Sequence, residues 1–232
     1  MIKYVLWDVD ATLLNFSLAE SAAMRSCFNL YGFENLTDDK LMDYKKINQS
    51  YWKRLERGEI TRKDVLEGRF YEFFKKYSYD VDKVADFNLS FQKALGQTYV
   101  FNDRAKETID RLSSFYDQYA VTNGSVTAQE GKLKGSGLDK QLKDVFISEK
   151  IGYEKPAKEF FDYVFKSIGS YDKSKYIIIG DSLTSDIKGG NIAGIKTVWF
   201  NPSLKINETT INPDFEIDRL DQVIEILGEI NG

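Results

Sequence analysis

Residues 5–16 read VLWDVDATLLNF: an apolar run that ends on two aspartates, Asp8 and Asp10, with one residue between them and a hydroxyl at Thr12. Ordinary turn chemistry does not ask for that combination. Three further apolar runs end in the same manner. YAVT leads into Thr122 and Asn123, and KYIIIG leads into Asp181, with Asp186 five residues on. DVFIS is followed by Lys155, in GYEKP. Taken singly, each is an ordinary turn or helix-cap residue. Taken together, they are four acids, one lysine and hydroxyls that a parallel sheet can gather in one crevice, beyond the carboxyl ends of its strands.

Such a gathering is electrostatically unbalanced. Two like charges about 4 Å apart at an effective dielectric near 20 repel by about 4 kcal/mol. Either some of the acids hold protons or a cation sits among them. With oxygen donors only, the set favours a hard ion, Mg²⁺ above all. Mg²⁺ in turn favours a phosphate ester, because it bridges carboxylate and phosphoryl oxygens.

The elements that must position these residues are short. YAVT, DVFIS, KYIIIG and KTVWF are β-branched apolar runs of the kind found in buried parallel strands. Between them, KPAKEFFDYVFKSIG predicts a helix that starts near Pro156, places Phe160, Phe161, Val164, Phe165 and Ile168 on one face, and stops at Gly169. TSDIKGGNIAG predicts a helix closed by Gly194, with Gly189 and Gly190 there for close packing. This alternation predicts an α/β doubly wound parallel sheet. The stretch 17–96 contains no strand pattern and reads as helices with charged faces. It is too long for a plain crossover, so it is expected to be an inserted, all-helical cap. The expected core is therefore 1–16 with 97–232, and the cap is 17–96.

Composition excludes several classes. The chain has 232 residues, 42% of them hydrophobic, enough for a sizeable core. Lys and Arg number 32 against 36 Asp and Glu, with no basic block, so nucleic acid is not an expected partner. There is no histidine, which removes every Ser-His and Cys-His mechanism and every His-ligated metal. The single cysteine, Cys27, permits no intramolecular disulfide and fits a reducing compartment. No run is long enough to span a bilayer, and MIKYVLW is too short for a signal peptide. A cytoplasmic protein, monomeric and without a membrane partner, is the expectation.

With these residues in view, the chain resembles the haloacid dehalogenase superfamily. DVDAT is similar to its first motif, Thr122 to the second, Lys155 to the third and GDSLTSD to the fourth. The helical insertion resembles its C1-type cap. TNGSVTAQEGKLKGSGL, FISEKIGYEKP and IGDSLTSDIKGGNIAGIKTVWFNP resemble the branch of 5′-nucleotidases acting on noncanonical pyrimidine nucleotides. Two departures are Ala11, where the family often has Asp, Gly or Asn, and Trp7, in place of the usual Phe.

The resemblance implies a Mg²⁺-dependent phosphomonoester hydrolase working through an aspartyl-phosphate, with a nucleoside monophosphate, pyrimidine above all, as substrate. Asp8 would be the nucleophile and Asp10 the general acid and base. Thr122 and the Asn123 backbone N–H would hold phosphoryl oxygens. Lys155 would neutralise charge on Asp8 and the phosphoryl group. Asp8, Asp181 and the Asp10 backbone carbonyl would ligate Mg²⁺, and Asp186 would ligate it or orient a ligated water. The cap would close over the crevice, with one or two of its aromatics, among Tyr51, Trp52, Phe70, Tyr71, Phe73, Phe74 and Phe91, free to stack on a base. Other members of the superfamily are the rivals. They are a phosphatase for a sugar phosphate or phosphoglycolate, a phosphomutase, a phosphonatase and a metal-free dehalogenase, the last opposed by Asp10. A non-enzymatic phospho-acceptor is the rival from outside, opposed by the large insertion.

Overall fold

The computed structural model describes residues 1–232. One parallel sheet holds β1 (Tyr4–Trp7), β2 (Asp117–Thr122), β3 (Asp144–Ile147), β4 (Tyr176–Gly180), β5 (Lys196–Phe200) and β6 (Phe215–Ile217), in the order β3-β2-β1-β4-β5-β6. β1 and β4 are buried along their whole length. That is why they read as unbroken apolar runs: both faces are covered. Alternation divides them. Val5, Trp7, Ile177 and Ile179 enter one core, and Tyr4, Leu6, Tyr176 and Ile178 the other.

The chain forms two compact units, Met1–Phe16 with Tyr99–Gly232, and Ser17–Thr98. In the second, α1 (Phe16–Tyr31, its first residue in the sheet unit) is followed by α2 (Asp38–Glu56), α3 (Arg69–Lys76) and α4 (Val84–Leu95). Thr37 caps α2 by accepting from the Lys40 N–H. A single π-type turn, Asp64–Gly68, leads into α3. Phe70, Phe73, Phe74, Phe87 and Phe91 are fully buried, and Tyr44 stacks on Phe70 at 5.3 Å. Four of the aromatics considered for base stacking, Phe70, Phe73, Phe74 and Phe91, are therefore core of this unit. Tyr71 is exposed, and Tyr51 and Trp52 are half-buried. A buried polar chain runs through the same unit: Arg69 donates to Asn48 Oδ1, and Asn48 Nδ2 donates to Glu20 Oε1, each at 2.7 Å.

In the sheet unit the helices are α5 (Ala105–Leu112), α6 (Val126–Ser136), the single turns α7 (Leu138–Gln141) and α8 (Ser148–Ile151), α9 (Lys158–Ile168), α10 (Lys188–Ala193) and α11 (Gln222–Asn231). α9 starts two residues beyond Pro156 and buries Phe160, Phe161, Val164 and Phe165 as the spacing predicts. It ends at Gly169 and α10 at Gly194, both in the left-handed conformation. The Gly189–Gly190 pair does serve packing, since a Cβ on Gly190 would stand 2.5 Å from the Thr197 methyl group.

Trp7 keeps its polar atom satisfied inside the core. Its indole N–H donates to Gln118 Oε1 at 2.9 Å, and Gln118 donates on to the Ile109 carbonyl. Removing the acceptor strands a buried N–H, at a cost of about 1–3 kcal/mol. Gln118→Leu should therefore lower Tm by several degrees, and by clearly less in a Trp7→Phe background. Thermal melts of the four proteins check this; an equal loss in both backgrounds would show that the indole bond contributes nothing.

Candidate active site

The sheet register levels the site residues. Trp7 lies opposite Ala120 on β2 and Ile179 on β4. One residue on, Asp8, Val121 and Gly180 therefore share a level, and the Asp8 N–H donates to the Ile179 carbonyl. The chain then folds tightly. Leu14 N–H returns to the Val9 carbonyl and Ala11 N–H to the Leu14 carbonyl. This places Ala11 at φ 68°, the left-handed region where Gly or Asn is favoured. Asn102 holds the turn from outside by donating to the Ala11 and Thr12 carbonyls at 3.0 and 2.8 Å.

At the centre is the Lys155 ammonium, 1% exposed. It donates to Asp8 Oδ1 at 2.8 Å, to Asp186 Oδ1 at 2.6 Å and to the Val121 carbonyl at 2.7 Å. Its backbone is clamped by Asn123, whose carboxamide donates to the Lys155 carbonyl and accepts from the Lys155 N–H. Thr12 donates to Asp8 Oδ2 at 3.0 Å and accepts from the Asp181 N–H at 3.1 Å, tying the first loop to the fourth. Asp186 Oδ2 accepts from the Ser182 N–H. Gly180 makes room for that carboxylate, since a Cβ there would stand 2.2 Å from Asp186 Oδ2. Thr122 is buried, and its Oγ accepts from the Gly124 N–H, leaving the hydroxyl proton to donate.

The carboxylates of Asp8, Asp181 and Asp186 lie within 4.8 Å of one another. The electrostatics follow. Burial drives the Asp8 carboxyl up; Lys155 opposes this, Asp186 and Asp10 add to it, and it stands at about 7. Burial, with the charges of Asp8 and Asp186, pushes Asp181 well above the usual carboxylate range. Burial works against the charge on Lys155, but Asp186 and Asp8 outweigh it and hold it as an ammonium. One cation faces three acids, and the Asp181 carboxylate takes no hydrogen bond from the protein. The residues fit a hard divalent cation: all donors are oxygen, and one of them is unengaged.

Asp10 stands apart from this cluster. Its carboxylate accepts from Lys132 Nζ at 2.5 Å and from Gln129 Nε2 at 2.7 Å, both on α6. Gln129, Lys132 and Asn102 are site residues that the sequence reading passed over. The signal for the first two was present: they are spaced i, i+3 beside the buried Ala128 and Leu133. The sequence reading gave Asn123 a backbone role alone, and its side chain holds Lys155.

Residues 5–200 match the family model described as haloacid dehalogenase-like hydrolase. The HAD-hydrolase YfnB of Bacillus subtilis is 41% identical over 226 residues, which cover 97% of this chain and 95% of that protein. Its magnesium-bound crystal structure aligns with a TM-score of 0.92 at 40% identity, over 97% of this chain and 98% of that one. The pyrimidine 5′-nucleotidase PynA of Streptococcus pneumoniae is 34% identical across 98% of this chain and 95% of its own. The pyrimidine 5′-nucleotidase YjjG of Escherichia coli is 26% identical across 97% of both chains.

The crowding of acids makes a prediction about stability. An acid whose folded pKa is raised contributes stability that is fully present below its unfolded value, about 3.9 for Asp. That contribution is lost as pH rises through the folded value, about 7 for Asp8. In excess chelator, Asp181→Asn should therefore raise Tm by a few degrees at pH 8, and the gain should shrink towards zero by about pH 4. A loss of Tm at pH 8 would contradict the charge balance described.

Proposed function

Because the chain belongs to the haloacid dehalogenase-like hydrolase family, we propose that its hydrolase chemistry is the cleavage of phosphomonoesters, 5′-nucleotides of pyrimidines in particular. The observation that carries the substrate class is the extent of the match to PynA and YjjG. Both are named pyrimidine 5′-nucleotidases, and both match along nearly the whole chain, the helical unit included.

The contacts support the following division of roles. An Asp8 carboxylate oxygen attacks phosphorus. The P–O ester bond breaks, and its electron pair leaves on the ester oxygen, which takes a proton from Asp10 in its acid form. Water then attacks phosphorus of the aspartyl-phosphate and gives a proton to Asp10. The P–O bond to Asp8 breaks, which restores both carboxyl groups and releases alcohol and inorganic phosphate. Thr122, with a free hydroxyl proton, and the Asn123 N–H hold phosphoryl oxygens. Lys155 favours the ionised form of Asp8, against its burial, and balances charge gathered on the phosphoryl group. Mg²⁺ is the proposed cofactor, held by Asp8, Asp181 and the Asp10 backbone carbonyl. When bound, it offsets the clustered carboxylates and polarises a phosphoryl oxygen. Both Asp186 oxygens already accept hydrogen bonds, from Lys155 and the Ser182 N–H, which supports its role as the residue that orients Lys155. The segment 17–96 is proposed as the cap that selects the substrate.

The test is kcat/KM for UMP, dUMP, dTMP and AMP beside ribose 5-phosphate, phosphoglycolate and glucose 6-phosphate, with Mg²⁺ and with chelator. The pyrimidine nucleotides should lead by roughly tenfold or more, the worth of about 1–3 kcal/mol of base contact. Chelation should abolish turnover. Asp8→Asn should cost several powers of ten, on the order of other lost nucleophiles. A sugar phosphate or phosphoglycolate ahead of every nucleotide would end the nucleotidase reading.

A further inference from the structure

We propose that Lys132 and Gln129 are positioning residues that orient the Asp10 carboxyl group for proton transfer to the leaving oxygen. The inference rests on the phosphomonoesterase reading above and deepens it.

The two acids of the first loop are held alike. Asp8 has one oxygen on the buried ammonium of Lys155 and the other on the Thr12 hydroxyl. Asp10 has one oxygen on the buried ammonium of Lys132 and the other on the Gln129 amide. With a donor on each oxygen, rotation about the Cβ–Cγ bond is blocked and the plane of the carboxyl group is set. The donors lie one helical turn apart on α6. Ser125 fixes the start of that helix by accepting from the Ala128 N–H, and Glu149 does so by accepting from the Val126 N–H.

This holding comes at a cost that packing alone does not explain. Lys132 and Gln129 are both 0% exposed. Asp10 is the one acid paired with Lys132, and the Phe16 ring lies 5.2 Å from its ammonium. Burying a charge for one pair is costly, and an apolar side chain of similar volume often serves stability as well or better. The other end of the Gln129 amide, Oε1, is buried with no partner, a further penalty. Gly124 accommodates the same side chain, since a Cβ there would stand 2.1 Å from Gln129 Nε2. A pair of polar residues kept dry, one of them half-satisfied, both aimed at one carboxylate, matches a requirement for orientation.

A merely structural tie between α6 and the first loop would behave differently. It would disturb Asp8, two residues from Asp10, and every substrate would suffer alike. Loss of Asp10 orientation harms only those substrates whose leaving group needs a proton. The experiment compares Lys132→Met, Gln129→Leu, Asp10→Asn and the Asp10→Asn/Lys132→Met double variant on dUMP, an alkyl phosphate, and on p-nitrophenyl phosphate, whose phenolate leaves unaided. Lys132→Met should lower kcat on dUMP by about 10²-fold, within the range of general acid catalysis. It should change KM little, and it should lower p-nitrophenyl phosphate turnover less than about tenfold. Gln129→Leu should show the same pattern, smaller. It also carries the test if Lys132→Met does not fold. The double variant should be no worse than Asp10→Asn. Equal losses on both substrates, additive losses in the double variant, or no loss in either single variant would overturn the inference and leave the phosphatase reading intact. If Asp10→Asn itself shows no difference between the two substrates, the acid role of Asp10 fails, and the inference fails with it.

Discussion

The buried ammonium of Lys155 ties together the loops at the carboxyl end of the sheet. Lys155 reaches Asp8 on the β1 loop, Asp186 beyond β4 and the Val121 carbonyl on β2, all within 2.8 Å. Those groups belong to three strands that are neighbours in space and far apart in sequence. Without the ammonium, two buried carboxylates would face each other unpaired, a far greater penalty than any surface pair could offset. The structure around Lys155 is arranged to keep it there. Asn123 grips its backbone from both sides, Gly180 leaves space for Asp186, and Thr12 bridges Asp8 to Asp181.

The same arrangement separates the two acids of the first loop. Asp8 sits among Lys155, Asp181 and Asp186, with too few positive charges for the acids present. Asp10 is two residues away, yet it faces α6 and has its own lysine. One loop thus presents two carboxyl groups to two different sets of partners, Asp8 to Lys155 and Thr12, and Asp10 to Lys132 and Gln129. The left-handed turn at Ala11 reverses the chain just beyond Asp10, and Asn102 is the residue that holds it.

Much of this was legible from the sequence, for a definite reason. In a parallel sheet covered on both faces, the strands are short apolar runs, so polar residues at their ends stand out. Asp8, Thr122, Lys155 and Asp181 stand out that way, and the Lys155 ammonium draws together Asp8, Asp186 and the end of β2. β6 was not read, because Phe215–Ile217 is three residues long and never forms an apolar run. Lys132 was not read because a buried lysine and a solvated one look alike in AQEGKLKGSG, where Lys134 is exposed and Lys132 is not. Asn102 was not read because its partners are backbone carbonyls, which leave no trace in side-chain patterns. Helix starts were the least legible boundaries. Pro156 marks a start two residues ahead of the first helical residue, Lys158, and the π-type turn Leu183–Ile187 has no sequence pattern that sets it apart from the helix that follows.

The central claim is that Asp8, poised by Lys155, takes the phosphoryl group. Rapid mixing with a pyrimidine nucleotide and Mg²⁺, followed by quenching and borohydride reduction, converts an acyl phosphate to the corresponding alcohol and marks its position by mass spectrometry. The account predicts that the peptide bearing Asp8 is reduced at that residue, on the time scale of a single turnover, and at no other carboxylate. Full turnover with no reduced Asp8, or with the mark on Asp10, Asp181 or Asp186, would contradict it.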